Sequence, residues 1–129
     1  MGEIDRVQST SELKLIEKLK MICAQLPEVD VGIDGFGHTT FKVGKKSLVL
    51  IGGGSGAGAD QGSLSVKADV MTQQMLVKRG PWIRTPYIGQ HGWVTVWGDA
   101  QVDWAEVAEL VRDAWRVSAP RRLLKQLEE

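Results

Sequence analysis

Apolar and polar residues alternate in two rhythms along this chain, and the changes of rhythm mark its elements. From Leu15 the apolar positions fall at helical spacing, through Leu19, Ile22 and Leu26, with Ile16 and Cys23 widening the stripe. Ser9 and Glu12 stand three apart, the spacing at which two side chains satisfy orphan amides at a helix start. Pro27 pushes the residue before it out of helical backbone, so the pattern predicts a helix over 11–25. From Thr39 the period becomes two: Phe41 and Val43 alternate with Thr40 and Lys42, as in a half-buried strand. Gly44 and Lys45 make a tight turn into a second strand over 47–51. Leu64 and Val66 alternate with Ser65 and Lys67 in a third, and 72–77 reads as a short helix. A further strand, 93–97, places Val94 and Val96 on one face and Trp93, Thr95 and Trp97 on the other.

The helical period returns after Asp103, a favourable N-cap, with Glu106 at the position that completes a capping box. Trp104, Val107, Ala108, Val111 and Trp115 form its apolar stripe. Pro120 breaks this helix, and a short basic tail helix follows from Arg121 to Gln126. Helix, strands, helix is the order expected of an α+β two-layer sandwich: an antiparallel sheet covered on one face by the N- and C-terminal helices. With 129 residues the chain is long enough for one domain with a real core. Residues 1–9 read as a flexible N-terminus. The run GGGSGAGADQG, Gly52 to Gly62, reads as a flexible Gly-rich loop between two strands. It lacks the G-x-x-x-x-G-K-[ST] spacing into a helix that a phosphate loop needs, and no strand–turn–helix unit surrounds it.

Net charge is zero, yet the charges are unevenly placed. Residues 1–34 carry −3 and residues 99–129 carry −2, whereas 35–98 carry +5 through Lys42, Lys45, Lys46, Lys67, Lys78, Arg79 and Arg84 against Asp60 and Asp69. If that middle segment forms one surface, the surface is locally basic. The single Cys23 forms no internal disulfide, the N-terminus lacks the apolar run of a signal peptide, and no stretch approaches a membrane span of about 20 residues. The expectation is a soluble, cytoplasmic protein with no membrane partner.

Candidate chemistry is sparse. No C-x-x-C, H-x-x-x-H or H-E-x-x-H pair occurs, and His38, His91, Cys23, Asp34 and Asp60 come from scattered segments, so neither metal nor cofactor is expected. Cys23 lies on a buried stripe, and no serine sits in an elbow motif. Glu28 reads as an acceptor of backbone amides where helix meets sheet. No enzyme is indicated. Two binding surfaces stand out instead. Phosphate binding needs several cations on one surface, and Lys42, Lys45, Lys46, Lys67, Arg84 and His91 are the candidates for DNA. Trp82, Tyr87 and Trp93 bracket the turn PYIGQHG and are the alternative, an aromatic surface for a protein partner or small ligand.

Several stretches carry a family likeness: LPE at Leu26–Glu28, TTFKVGKK at Thr39–Lys46, SLSVKAD at Ser63–Asp69, PYIGQHGW at Pro86–Trp93, VDW at Val102–Trp104, and Ala119, Pro120 and Arg122. Together they resemble the MmcQ/YjbR family over nearly the whole chain from Leu13. The resemblance implies a CyaY-like α/β fold and a "double-wing" DNA-binding role, in which projecting hairpins set their tips along the nucleic-acid backbone. It implies no catalytic residues. Trp115 stands where the family usually has Tyr, and the segment at 52–62 varies within the family.

Overall fold

The computed structural model describes residues 9–53, 61–98 and 102–128. Helix α1 (Thr10–Cys23) is capped by Ser9, whose hydroxyl accepts from the Glu12 amide at 3.1 Å. Ser9 is thus the helix N-cap, and short of Pro27 the chain tightens into turns in which the Gln25 and Leu26 amides donate to the Ile22 and Cys23 carbonyls at 3.2 and 3.0 Å. Six strands follow: β1 (Val29–Ile33), β2 (Thr39–Val43), β3 (Lys46–Gly53), β4 (Gly62–Val66), β5 (Ile83–Arg84) and β6 (Val94–Trp97). Helix α2 (Val70–Arg79) lies between β4 and β5, and α3 (Trp104–Ser118) and α4 (Arg121–Glu128) close the chain. The α+β class stands as expected. Hydrophobic patterning alone misses β1 and β5 and understates α2.

The strands form one sheet in the order β1-β2-β3-β4-β6-β5, every neighbouring pair antiparallel. Phe41 faces Val49, Val49 faces Val66 and Val66 faces Val94, so one row of apolar side chains crosses four strands. Leu64, Val96 and Ile51 form the next row, and both rows are buried beneath α1 and α3. The β2–β3 pairing shifts between Phe41 and Lys42, which leaves Leu48 as the extra residue of a bulge. Leu48 stays fully buried, and its carbonyl accepts the Lys67 amide at 3.0 Å. On the opposite face small hydroxyls run across the sheet: Thr95 Oγ1 lies 2.8 Å from both Ser65 Oγ and Thr85 Oγ1.

The Gly-rich stretch divides differently from the expected 52–62 loop. Gly52 and Gly53 end β3, Gly62 opens β4, and Gly53 pairs with Gly62. Ladder pairing and close packing use these glycines, since the Gly62 amide donates to Ser11 Oγ at 3.0 Å on α1. Residues 54–60 and 1–8 lie outside the described residues.

Three side-chain ties fix the helices to the sheet. Trp115 is fully buried and donates its indole N–H to the Pro27 carbonyl at 3.0 Å. Arg122 pairs both guanidinium nitrogens with Glu28, at 2.8 and 2.9 Å. Glu28 therefore serves an ion pair rather than accepting backbone amides, and its carboxyl is held below the usual range by Arg122. Glu106 likewise serves a tertiary contact. Asp103 caps α3 through the Ala105 and Glu106 amides, while the Glu106 carboxylate takes both Arg79 nitrogens, at 2.7 and 2.8 Å, and the Trp82 indole N–H at 3.0 Å. That pattern joins the end of α2 and the entry to β5 onto the start of α3.

The Arg79 hydrogen bonds hold the Glu106 carboxyl below its ordinary value, and Trp82 adds to the effect against a desolvation penalty. A carboxyl depressed in the folded state contributes stability that is present above its unfolded value, ~4.3, and lost as pH falls through the folded value. Glu106→Gln is expected to lower the unfolding free energy by about 1 kcal/mol at pH 7, because Arg79 is half-exposed and screened. Urea titrations at successive pH values should show the gap to wild type closing below about pH 4.

Candidate functional site

Neighbouring strands of the sheet run in opposite directions, and the registers show which strand ends lie together. Val43 pairs with Lys46, and Lys67 follows directly on Val66, which pairs with Val94. Val94 pairs in turn with Arg84, and His91 lies just before β6. Val29 faces Val43, so Glu28 and its partner Arg122 lie at this end too. The β2–β3 hairpin, the end of β4, the end of β5 and the turn before β6 therefore form one edge of the molecule. It spans three strand spacings from β3 to β5, about 14 Å.

Five of the six basic candidates, Lys45, Lys46, Lys67, Arg84 and His91, belong to this end. Lys42 lies next to it, exposed on β2. Their roles differ. Lys45 and Lys46 are exposed at the hairpin corner. Lys67 donates its ammonium to the His91 carbonyl at 2.8 Å, bracing the turn before β6 while remaining partly accessible. Arg84 lies across Gly89, so close that a β-carbon there would come within 2.7 Å of its Nε. Acids near this edge are largely engaged. Glu28 is paired with Arg122, and Asp69 caps α2 through the Thr72 amide at 2.7 Å and hydroxyl at 3.0 Å. Asp30 stands opposite Lys42 in the register. Arg122 reaches the same edge through Glu28, a placement the sequence alone does not reveal.

The aromatic alternative does not survive as a surface. Trp82 is 3% exposed and part of the core, and Trp93 is 6% exposed. Their indoles are too large to remain wet when the β5–β6 pairing and α2 close over them, so they stabilise the turn from within. Tyr87 is 95% exposed and stands apart from both. Trp97 is exposed without Trp93 beside it, and Trp104 is only partly buried. Trp104 lines a cleft of about 310 Å³ between α1 and α3 with Met21, Ile22 and Leu26.

What holds the PYIGQHG turn is a residue that no sequence motif singles out. Gln73 is buried on α2 and donates both amide hydrogens, to the Gly89 carbonyl at 2.7 Å and the Trp93 carbonyl at 2.8 Å. An inward-facing amide three residues before Leu76, on a helix whose other inward position is apolar, is its only sequence signal. Gly92 completes the anchor, with φ at 98° and no room for a side chain against the Ala68 carbonyl.

The remaining ionisable candidates do not converge on a reaction centre. Asp34 accepts the Phe36 and His38 amides at 2.8 and 2.9 Å and lies 3.1 Å from His38 Nδ1. Its carboxyl is lowered by these hydrogen bonds in spite of desolvation, and the pair closes the β1–β2 turn at the opposite sheet end. Burial pushes the Cys23 thiol up to about 12, which leaves it protonated and inert. Among the described residues no group of three or more His, Cys, Asp or Glu side chains could hold a metal ion, and Asp60 lies outside them. No helix of the described residues is long and apolar enough to cross a membrane.

A family model described as YjbR matches residues 24–117. The crystal structure of protein DR2400 of Deinococcus radiodurans, described as a DUF419 domain, superposes with a TM-score of 0.68. The match covers 88% of this chain and 87% of that one at 21% identity, a likeness that carries the fold alone. No curated protein sequence matches significantly.

Because Gly92 is both sterically closed and left-handed, Gly92→Ala is expected to cost at least about 3 kcal/mol. Gly44→Ala, at φ 61° in open space, should cost only about 1–2 kcal/mol. Equal destabilisation by the two in chemical denaturation would show that the Ala68 carbonyl does not constrain the turn.

Proposed function

The chain belongs to the YjbR family, and from that premise we propose that it is a non-enzymatic nucleic-acid-binding protein of low sequence specificity, gripping phosphates with the basic edge of its sheet. One observation carries the reading: the turns and strand ends that bear Lys45, Lys46, Lys67, Arg84 and His91 share one sheet end, with Lys42 next to it, while Asp34 closes a turn at the other. The edge of about 14 Å matches roughly four phosphates along one strand at 3.4 Å of axial rise each. Lys42, Lys45 and Lys46 on the hairpin and Arg84 and His91 on the turn are the phosphate-facing groups. Lys67 contributes its field while bracing the His91 carbonyl.

Phosphate pairing of this kind positions a protein on a backbone without reading sequence. The cations of the edge are mostly lysines on flexible stems, which meet phosphates as point charges, so little discrimination between base pairs is expected. The burial of Trp82 and Trp93 removes the aromatic patch on which the protein-partner reading depended.

The test is a titration of fluorescent duplex DNA at about 50 and 150 mM salt against wild type and a Lys42→Ala/Lys45→Ala/Lys46→Ala variant. Wild type should bind weakly and lose affinity with salt at a slope of about −3, as three to four neutralised phosphates give. The variant should have a slope shallower by about 0.9 for each phosphate it no longer neutralises, with its melting temperature unchanged because all three lysines are exposed. Absence of binding at the lower salt, to the duplex and to its separated strand alike, overturns the reading.

A further inference from the structure

We infer that the ligand of the basic edge is single-stranded nucleic acid, held by one base stacked on Tyr87, an assignment that rests on the phosphate-binding reading above. Tyr87 is 95% exposed and its backbone sits at φ 69°, a region that bulky residues rarely occupy. An aromatic ring left in water and a strained backbone both disfavour the folded turn. The turn is nevertheless held from several sides. Gln73 fixes the Gly89 and Trp93 carbonyls, Lys67 fixes the His91 carbonyl, the Thr85 amide donates to Trp93, and the Ile88 amide closes on Pro86 at 2.8 Å. The ring is therefore presented on a rigid mount.

Its neighbours give that presentation a chemistry. Arg84 lies three residues before Tyr87 and packs across Gly89, two residues after it. His91 is exposed at the end of the same turn, and the Lys67 ammonium is bound there. A flat aromatic face among cations suits a base with phosphates on either side, the combination by which single strands are held without sequence preference. A duplex keeps the faces of its bases covered by their neighbours, so an outward ring finds nothing to stack on unless a base step is opened. The shortness of the edge points the same way. Few neutralised phosphates give modest affinity, and stacking supplies a contribution that salt does not screen.

Phe36 provides an internal control. It is also exposed, yet it lies in the β1–β2 turn at the opposite sheet end, away from the basic edge.

The experiment measures fluorescence anisotropy of a labelled 12-nucleotide oligothymidine and of a 12-base-pair duplex, each at about 50 and 150 mM salt. Wild type, Tyr87→Ala, Tyr87→Phe, Tyr87→Asn and Phe36→Ala are compared after their melting curves establish folding. Asn tolerates the left-handed backbone and removes the ring, so it separates stacking from strain. Expected are tighter binding of the single strand than of the duplex and a roughly 5- to 100-fold loss of single-strand affinity in the Ala and Asn variants. The salt slope should not change in these variants, and Tyr87→Phe and Phe36→Ala should bind as wild type does. Salt-dependent binding that persists within twofold in both ring-less variants, or that prefers the duplex, overturns stacking and leaves the phosphate reading standing. A Tyr87→Phe loss as large as that of Tyr87→Asn assigns the effect to the hydroxyl and also overturns it. No binding of either nucleic acid overturns both readings.

Discussion

The register of the antiparallel sheet is the constraint on which the rest of this molecule depends. Each strand runs opposite to its neighbours in the sheet, with α2 carrying the chain back between β4 and the parallel-running β5, so a residue's place at one end or the other follows from the strand it ends. The β2–β3 hairpin, the exit of β4 and the approach to β6 fall at one end, and the β1–β2 turn falls at the other. Lys45 and Arg84 are 39 positions apart in sequence, yet pairing through β3, β4 and β6 brings their strand ends to one edge. No local signal could do this. The edge exists because apolar rows across β2, β3, β4 and β6 can be buried only in this register, and a slip of one residue would turn Val66 and Val94 to the solvent face.

Stiffness at that edge comes from polar groups buried beside it. Gln73 leaves a helix to satisfy two carbonyls of a turn, and an unsatisfied buried carbonyl is costly. Position and order of the turn are therefore linked to α2, and α2 is linked to α3 through Arg79 and Glu106. Glu28 and Arg122 perform the same task at the far side, though both are exposed and their pair contributes little to stability. Its consequence is placement: it sets the start of α4 beside the start of β1.

Much of this architecture is legible in the sequence, and the misses have physical causes. Phe41, Val43, Leu64, Val66, Val94 and Val96 announce their strands because apolar side chains line one face of each strand and mostly hydroxyl or charged ones the other. Ser9 and Asp103 announce their helices because capping is local chemistry. β1 does alternate over VDVGI, but it is only five residues long with Gly32 inside it, and as an edge strand it leaves Val31 and Ile33 exposed. β5 is two residues long and exists only through its pairing with β6. Trp82 and Trp93 mislead for a related reason: an indole near a turn looks the same in sequence whether the sheet closes over it or not. Of the candidate site, the residue types are readable, but their convergence, the brace from Gln73 and the isolation of Tyr87 are properties of the register.

The zero net charge of the chain is then a poor guide to its surface. At physiological ionic strength exposed charges are screened beyond about 8 Å. The two ends of the sheet are separated by the length of a strand, roughly 17 Å for five residues. Acids at the far end, Asp34 among them, therefore do little to cancel the field above Lys45 and Arg84. Nearer acids are bound to local tasks: Glu28 to Arg122, and Asp69 to the first turn of α2. A charged ligand approaching the basic edge meets the balance within one screening length, which is positive, and not the sum over 129 residues.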